Sequence, residues 1–324
     1  MDIIAQALEC ASPENPVLFV GAPGIGKTAR IEQWALDRDM DLLVEHPTVA
    51  QSVDYRGLPA VIDGEAHWLP IGGLKRICAP DCGPTLVLLD DVGQAPAPVQ
   101  AALMQLIWAR KLGDAVVSDN VIFAAATNRV TDRSGVRPML SALIGRCQVV
   151  TVDVDADLWA AWALVQPDIA PEISAYARFR PDCFVSAVPD QPMQPYCTPR
   201  SLAAMGRLVM RGVSSLDLLS GWVGMGIAAD FAAYSESIAK IPPIEKVLDD
   251  PLVIKGIKDP GLMHAIVAQA ARRSSDRPDD VINLASTMGG GWGVTLISAA
   301  TGVDANIKKS DVFKQWAVAH KEVL

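Results

Sequence analysis

Basic charge is the scarcer sign in this chain of 324 residues: 28 lysines and arginines stand against 37 aspartates and glutamates, a net charge of −9. That balance argues against broad contact with nucleic acid, whose phosphates call for a basic face. Long apolar runs are missing too. The longest, LLSGWVGMGIAA from Leu218 to Ala229, has 12 residues between Asp217 and Asp230, too short to span a bilayer and expected to form a buried helix. The opening MDIIAQALEC carries acids and no basic segment, so it does not read as a secretion signal. Cysteine is sparse, with six scattered thiols, and free thiols in a reducing cytoplasm are expected. Cys78 and Cys82, with His67 upstream, lack the second pair that a four-ligand zinc site needs. What remains is half apolar and one-fifth charged, ordinary for a globular protein, and long enough for two domains.

What is present begins with FVGAPGIGKTAR, Phe19 to Arg30. Its glycines, proline and lysine stand between an apolar strand, Val17 to Val20, and a helical pattern, TARIEQWAL. Gly21, Gly26, Lys27 and Thr28 fit G-x-x-x-x-G-K-[ST], the phosphate-binding loop of nucleotide triphosphate enzymes. Backbone N–H groups from Gly24 to Thr28 would surround a polyphosphate, helped by the partial positive charge of a helix N-terminus. The expected nucleotide-contacting residues are Gly21, Pro23, Gly24, Ile25, Gly26, Lys27, Thr28 and Ala29. Lys27 would reach the β and γ phosphates, held there by that contact rather than by burial. The Thr28 hydroxyl would hold Mg²⁺.

The first half alternates short apolar runs with helical patterns, which predicts an α/β domain with a mostly parallel sheet. Candidate strands are Val17–Val20, Leu42–Glu45, Leu86–Asp90, Val121–Ala126 and Gln148–Val152. VIDGEAHWL, Val61 to Leu69, carries Asp63-Gly64 between β-prone residues and reads as a two-residue hairpin. It is a candidate for client contact, or a packing hairpin with Trp68 in the core. Past Asp155 the patterns turn helical (DLWAAWALVQ, APEISAYARF, PRSLAAMGRLVM, PGLMHAIVAQAARR), with proline-rich joints. TMGGGWG, Thr287 to Gly293, interrupts them as a loop. The expected division is 1–154 for the nucleotide-binding αβα domain and 155–324 for an α-helical lid with a helical extension.

A phosphate loop needs carboxylates. TLVLLDD places Asp90 at a strand's C-terminal end, where open α/β sheets bind ligands, to help hold the metal. Asp91 would polarise the attacking water; a glutamate is commoner there, and aspartate reaches one methylene less far. Asn128, closing the strand AAATN, could orient water beside the γ phosphate. Thr198 and Pro199 read as a helix start, which puts Arg200 in the first turn, where an anion would offset its clash with the helix dipole. Arg146 ends the pattern LSALIGR and could reach out of its own subunit. Arg133 and Arg137 are its rivals.

In this order the motifs GAPGIGKT, DYRGLPAV, LVLLDDVGQAPAPVQAALMQLIWARKLG, AAATNR, LSALIGR and TPRSL, over about residues 1–210, resemble the AAA+ ATPases, and within them the MoxR-like group. The resemblance implies a P-loop αβα core with an all-α lid, and a ring, usually a homohexamer, with ATP and Mg²⁺ at each interface. It makes Asn128 the first sensor, Arg200 the second-sensor arginine and Arg146 the finger for a neighbour's ATP. It implies a chaperone-like remodeller, often paired with a protein bearing a von Willebrand-type A domain. Two other uses stay open: a slowly hydrolysing nucleotide-dependent scaffold, and a DNA-acting ATPase, against which the acidic balance counts.

Overall fold

The structure, a computed structural model, describes residues 2–132, 134–137, 139–184, 193–289 and 291–321. The chain divides into two compact units, residues 1–153 and 154–324.

The first unit is built on five parallel strands: β1 (Val17–Gly21), β2 (Asp41–Glu45), β5 (Thr85–Leu89), β8 (Val121–Thr127) and β9 (Gln148–Val152), in the order β2-β5-β8-β1-β9. The central strands read as continuous apolar runs because a parallel sheet is covered on both faces. Phe19, Leu86, Val87, Leu88 and Ala126 are all fully buried. The covering helices are α1 (Ile3–Glu9), α2 (Lys27–Leu36), α3 (Ser52–Arg56), α4 (Ala97–Ala109) and α5 (Ser141–Ile144). The α/β class expected from the sequence is the one observed, and each candidate strand lies within about a residue of its observed bounds.

Two antiparallel hairpins lie outside the sheet: β3 (Leu58–Ile62) with β4 (Glu65–Leu69), and β6 (Lys111–Leu112) with β7 (Ala115–Val116). The first turns at Asp63 and Gly64, whose φ values of 52° and 83° are both positive, as a two-residue type I′ turn requires. The packing alternative for this hairpin is corrected. Trp68 is 37% exposed, and its ring is covered by the Arg56 guanidinium at 5.2 Å rather than by a core.

The second unit is helical: α6 (Ala156–Val165), α7 (Pro171–Phe179), α8 (Pro199–Met210), α9 (Leu216–Val223), α10 (Met225–Ile238), α11 (Ile244–Asp249), α12 (Pro260–Ala271), α13 (Pro278–Thr287), α14 (Trp292–Val303) and α15 (Asp311–Ala319). Its core gathers Ile173, Tyr176, Ile266, Val281 and Leu296. The start of α8 is as expected, with Thr198 accepting the Ser201 N–H in a capping box and Pro199 at the first helical position. The expectation of one buried helix over Leu218–Ala229 is corrected. Gly224, at φ 83° and ψ 156°, ends α9 and starts α10, and Leu218, Trp222 and Met225 are exposed. The TMGGGWG stretch does break the helices, but Trp292 and Gly293 already belong to α14; Gly290 lies outside the described residues. Among the described residues no helix is long and apolar enough to cross a membrane.

Candidate functional site

In the sheet order, β5, β8 and β1 are neighbours, so their C-terminal ends bring the residues after each strand together. The loop after β1 needs its glycines for two different reasons. At Gly21 a Cβ would meet the Val152 carbonyl oxygen at 2.4 Å, so the demand is close packing of β1 on β9. Gly26, at φ 90°, is left-handed, a conformation that only glycine adopts without strain. Gly26 also caps α2 without a side-chain hydrogen bond, which leaves the helix N-terminus open to an anion. Ile25 is buried with its Cδ1 directed at Gly21, anchoring the loop, while Ala29 lies exposed in the first turn of α2.

Lys27 is 7% exposed, which corrects the expectation that burial plays no part in holding it. Its Nζ donates to Gly21 O at 2.9 Å, Ala22 O at 3.0 Å and Asn128 Oδ1 at 2.9 Å. The other end of that amide, Asn128 Nδ2, donates to Asp91 Oδ1 at 3.3 Å. Thr28 Oγ1 donates to Asp90 Oδ2 at 2.8 Å, and Asp90 Oδ1 accepts the Asp91 N–H at 3.1 Å. Asp91 itself is left-handed, φ 56° and ψ 34°, a region that aspartate and asparagine tolerate better than other residues with a Cβ. Lys27, Thr28, Asp90, Asp91 and Asn128 thus come together in one hydrogen-bonded group.

Two participants were not read from the sequence. Thr48, just past β2, donates to the Asp91 carbonyl at 3.3 Å. Gly93, two residues after Asp91, is buried, and a Cβ there would meet Thr127 Oγ1 at 2.2 Å. Both depend on strand order, which no local pattern reveals.

The hydroxyl of Thr28 and the carboxylate of Asp90 are hard oxygen donors within one hydrogen bond of each other. That donor set suits Mg²⁺, which takes few protein oxygens and keeps several waters. The Lys27 ammonium and the open start of α2 suit a polyphosphate. The residues present therefore fit Mg-ATP, whose metal would supply charge neutralisation at the phosphates.

The arginines fall in different places. Arg146 follows α5 with its guanidinium carbon 5.3 Å from the Trp108 ring centroid, and its Nη1 donates to Ala142 O at 3.2 Å. Arg137 is exposed and donates its backbone N–H to Gly93 O at 2.9 Å; Arg133 lies outside the described residues. Arg129 pairs with Asp132, which raises its pKa above the usual guanidinium range. Arg200 belongs to the second unit, exposed in the first turn of α8. His67 pairs with Asp114, and Cys82 Sγ lies 3.6 Å from Thr85 Oγ1, so these two groups have separate partners.

The fold and this grouping define an α/β P-loop chain with a helical second unit. No family model matches it, and no curated protein does. Among solved structures, three mutants of RuvB from Thermotoga maritima are similar to it. They are 14, 15 and 16% identical, with TM-scores of 0.43, 0.42 and 0.40. Each covers 98% of this chain, and the shares of the RuvB chains covered are 85, 86 and 85%.

Proposed function

We propose that this chain is a Mg-ATP-dependent ATPase of the AAA+ type, in the MoxR-like group, which assembles as a homohexameric ring and remodels or activates a protein partner. The observation that carries the ATPase reading is the continuous link from Lys27 through the Asn128 amide to Asp91, beside the Thr28–Asp90 pair. In this reading Lys27 binds the β and γ phosphates, and Thr28 and Asp90 hold the metal. Asp91 takes the proton of the attacking water, with Asn128 orienting it. Arg146 acts on the nucleotide of a second copy, and Arg200 is the second-sensor arginine. The ring, the client and a von Willebrand-type A-domain partner rest on the motif resemblance.

The test is ATP binding and steady-state hydrolysis by Lys27→Ala, alongside Lys27→Met, which fills the buried stem without the charge. Both should lose nucleotide binding or turnover while remaining folded by circular dichroism. Unchanged turnover in a folded Lys27 variant would overturn the reading.

A further inference from the structure

We infer that Trp108 is a positioning residue for Arg146, holding its guanidinium by the flat face so that its N–H edge stays open to the phosphates of a nucleotide bound by a second copy. This rests on the trans role given to Arg146 above. Trp108 lies one residue before the end of α4, and at 55% exposure it is a large indole left at the surface. Its ring centroid is 5.3 Å from the arginine, within the distance at which a cation over a π face is attracted. Arg146 has no carboxylate partner among the described residues. The difference matters chemically. A carboxylate would occupy the donor fork, whereas the ring takes none of the N–H groups; apart from the Nη1 hydrogen given to Ala142 O, the donors stay available for contact with phosphate.

The rest of α4 supports the same purpose. α5 has four residues, too few to be stable alone. Its entry is fixed by Gln100, which is buried on α4: Oε1 accepts the Leu140 N–H at 3.0 Å while Nε2 donates to Ala95 O at 3.0 Å. One helix therefore holds the arginine's segment at its start by a buried amide and at its end by an indole ring. Exposed Ile144 and Val149 lie near Arg146 in sequence, apolar surface of the kind a second copy would cover.

The experiment compares Mg-ATP hydrolysis by wild type, Trp108→Ala, Trp108→Phe, Arg146→Ala and the double variant Trp108→Ala/Arg146→Ala, with melting temperatures as the fold control. Trp108→Ala should lower kcat by about 2- to 5-fold, the worth of an exposed cation–π contact, with KM for ATP unchanged. Trp108→Phe should recover most of the loss. In single turnover, Trp108→Ala should cost nothing further in the Arg146→Ala background, because coupled residues are not additive. An unchanged kcat in Trp108→Ala, or the same fractional loss without Arg146, overturns the inference. If Arg146→Ala itself turns over like wild type, the trans-arginine reading falls and the positioning role with it. If Arg146→Ala is silent while Trp108→Ala is normal, only the role of Trp108 falls.

Discussion

Substituting Gly93 by alanine should loosen the hydrogen-bonded group of Lys27, Thr28, Asp90, Asp91 and Asn128 without replacing any of those five side chains. The new Cβ would be 2.2 Å from Thr127 Oγ1, 3.1 Å from Val136 Cγ1 and 3.3 Å from Thr127 Cβ. Relief to ordinary contact needs a movement of roughly 1 Å, and Thr127 is buried with its hydroxyl donating to Asn128 O at 3.1 Å. Overpacking of this kind costs about 1–3 kcal/mol. In a unit of this size each kcal/mol lowers the melting temperature by about 2–4 °C. The same displacement acts on Asn128, whose bond to Asp91 is already 3.3 Å long and has little margin. A misplacement of about 1 Å can cost about 10²-fold in rate. Gly93→Ala should therefore melt several degrees lower, bind ATP through the intact loop at Lys27, and show a fall in kcat far larger than any change in KM. Adding Thr127→Ala removes the closest clash and should restore part of both stability and kcat. A Gly93→Ala protein with wild-type melting temperature and kcat would refute the reasoning, and so would a double variant no better than the single.

Other outcomes follow from the same geometry. Asp91→Asn should keep the melting temperature, since asparagine tolerates the left-handed backbone, while losing turnover. Asp91→Glu gains reach but should lose about 1 kcal/mol of stability at φ 56°, read as a lower melting temperature whatever its ATPase rate. Glu45, at the end of β2, has its pKa raised by burial and by the Asp54 carboxylate, with His46 opposing. Its charged form is the disfavoured one, so its contribution to stability is lost as pH rises through the raised value. Glu45→Gln should raise the melting temperature at pH 7–8 and give no gain below about pH 4, where the carboxyl is protonated in both states. Removing the β3–β4 hairpin tip around Gly64 should leave basal ATPase intact and abolish stimulation by a client; a fall in basal rate would make the hairpin structural.

The sequence made the sheet and the central site legible because both are local facts. Val17–Gly21 is an apolar run ended by a glycine loop, Asp90 and Asn128 each follow a strand directly, and Asp91 is the next residue after Asp90. The type I′ turn was legible for the same reason, since Asp-Gly states its own backbone angles. The β6–β7 hairpin was not, because two-residue strands have no periodicity to read. The break at Gly224 was hidden by apolar neighbours that looked like one buried segment, when several of them face solvent. Trp108 and Arg146 sit on separate elements, and only the packing of α4 against α5 brings the ring to the guanidinium. Thr48 and Gly93 needed the strand order for the same reason.

The exposed ribbon of β3 and β4 carries Leu58, Val61, Ile62 and Leu69 on its surface, so an open strand edge there would invite another chain to pair with it. At Trp68 that edge is closed. Pro59 stands opposite and has no N–H to offer. Asp114 takes the Trp68 N–H with its carboxylate at 3.0 Å and gives its own N–H to the Trp68 carbonyl at 2.9 Å. Both main-chain groups of the strand's bulkiest residue are thus already spent within the molecule. The ribbon can present apolar side chains to a partner while refusing, at Trp68, the backbone-to-backbone zippering by which such ribbons aggregate.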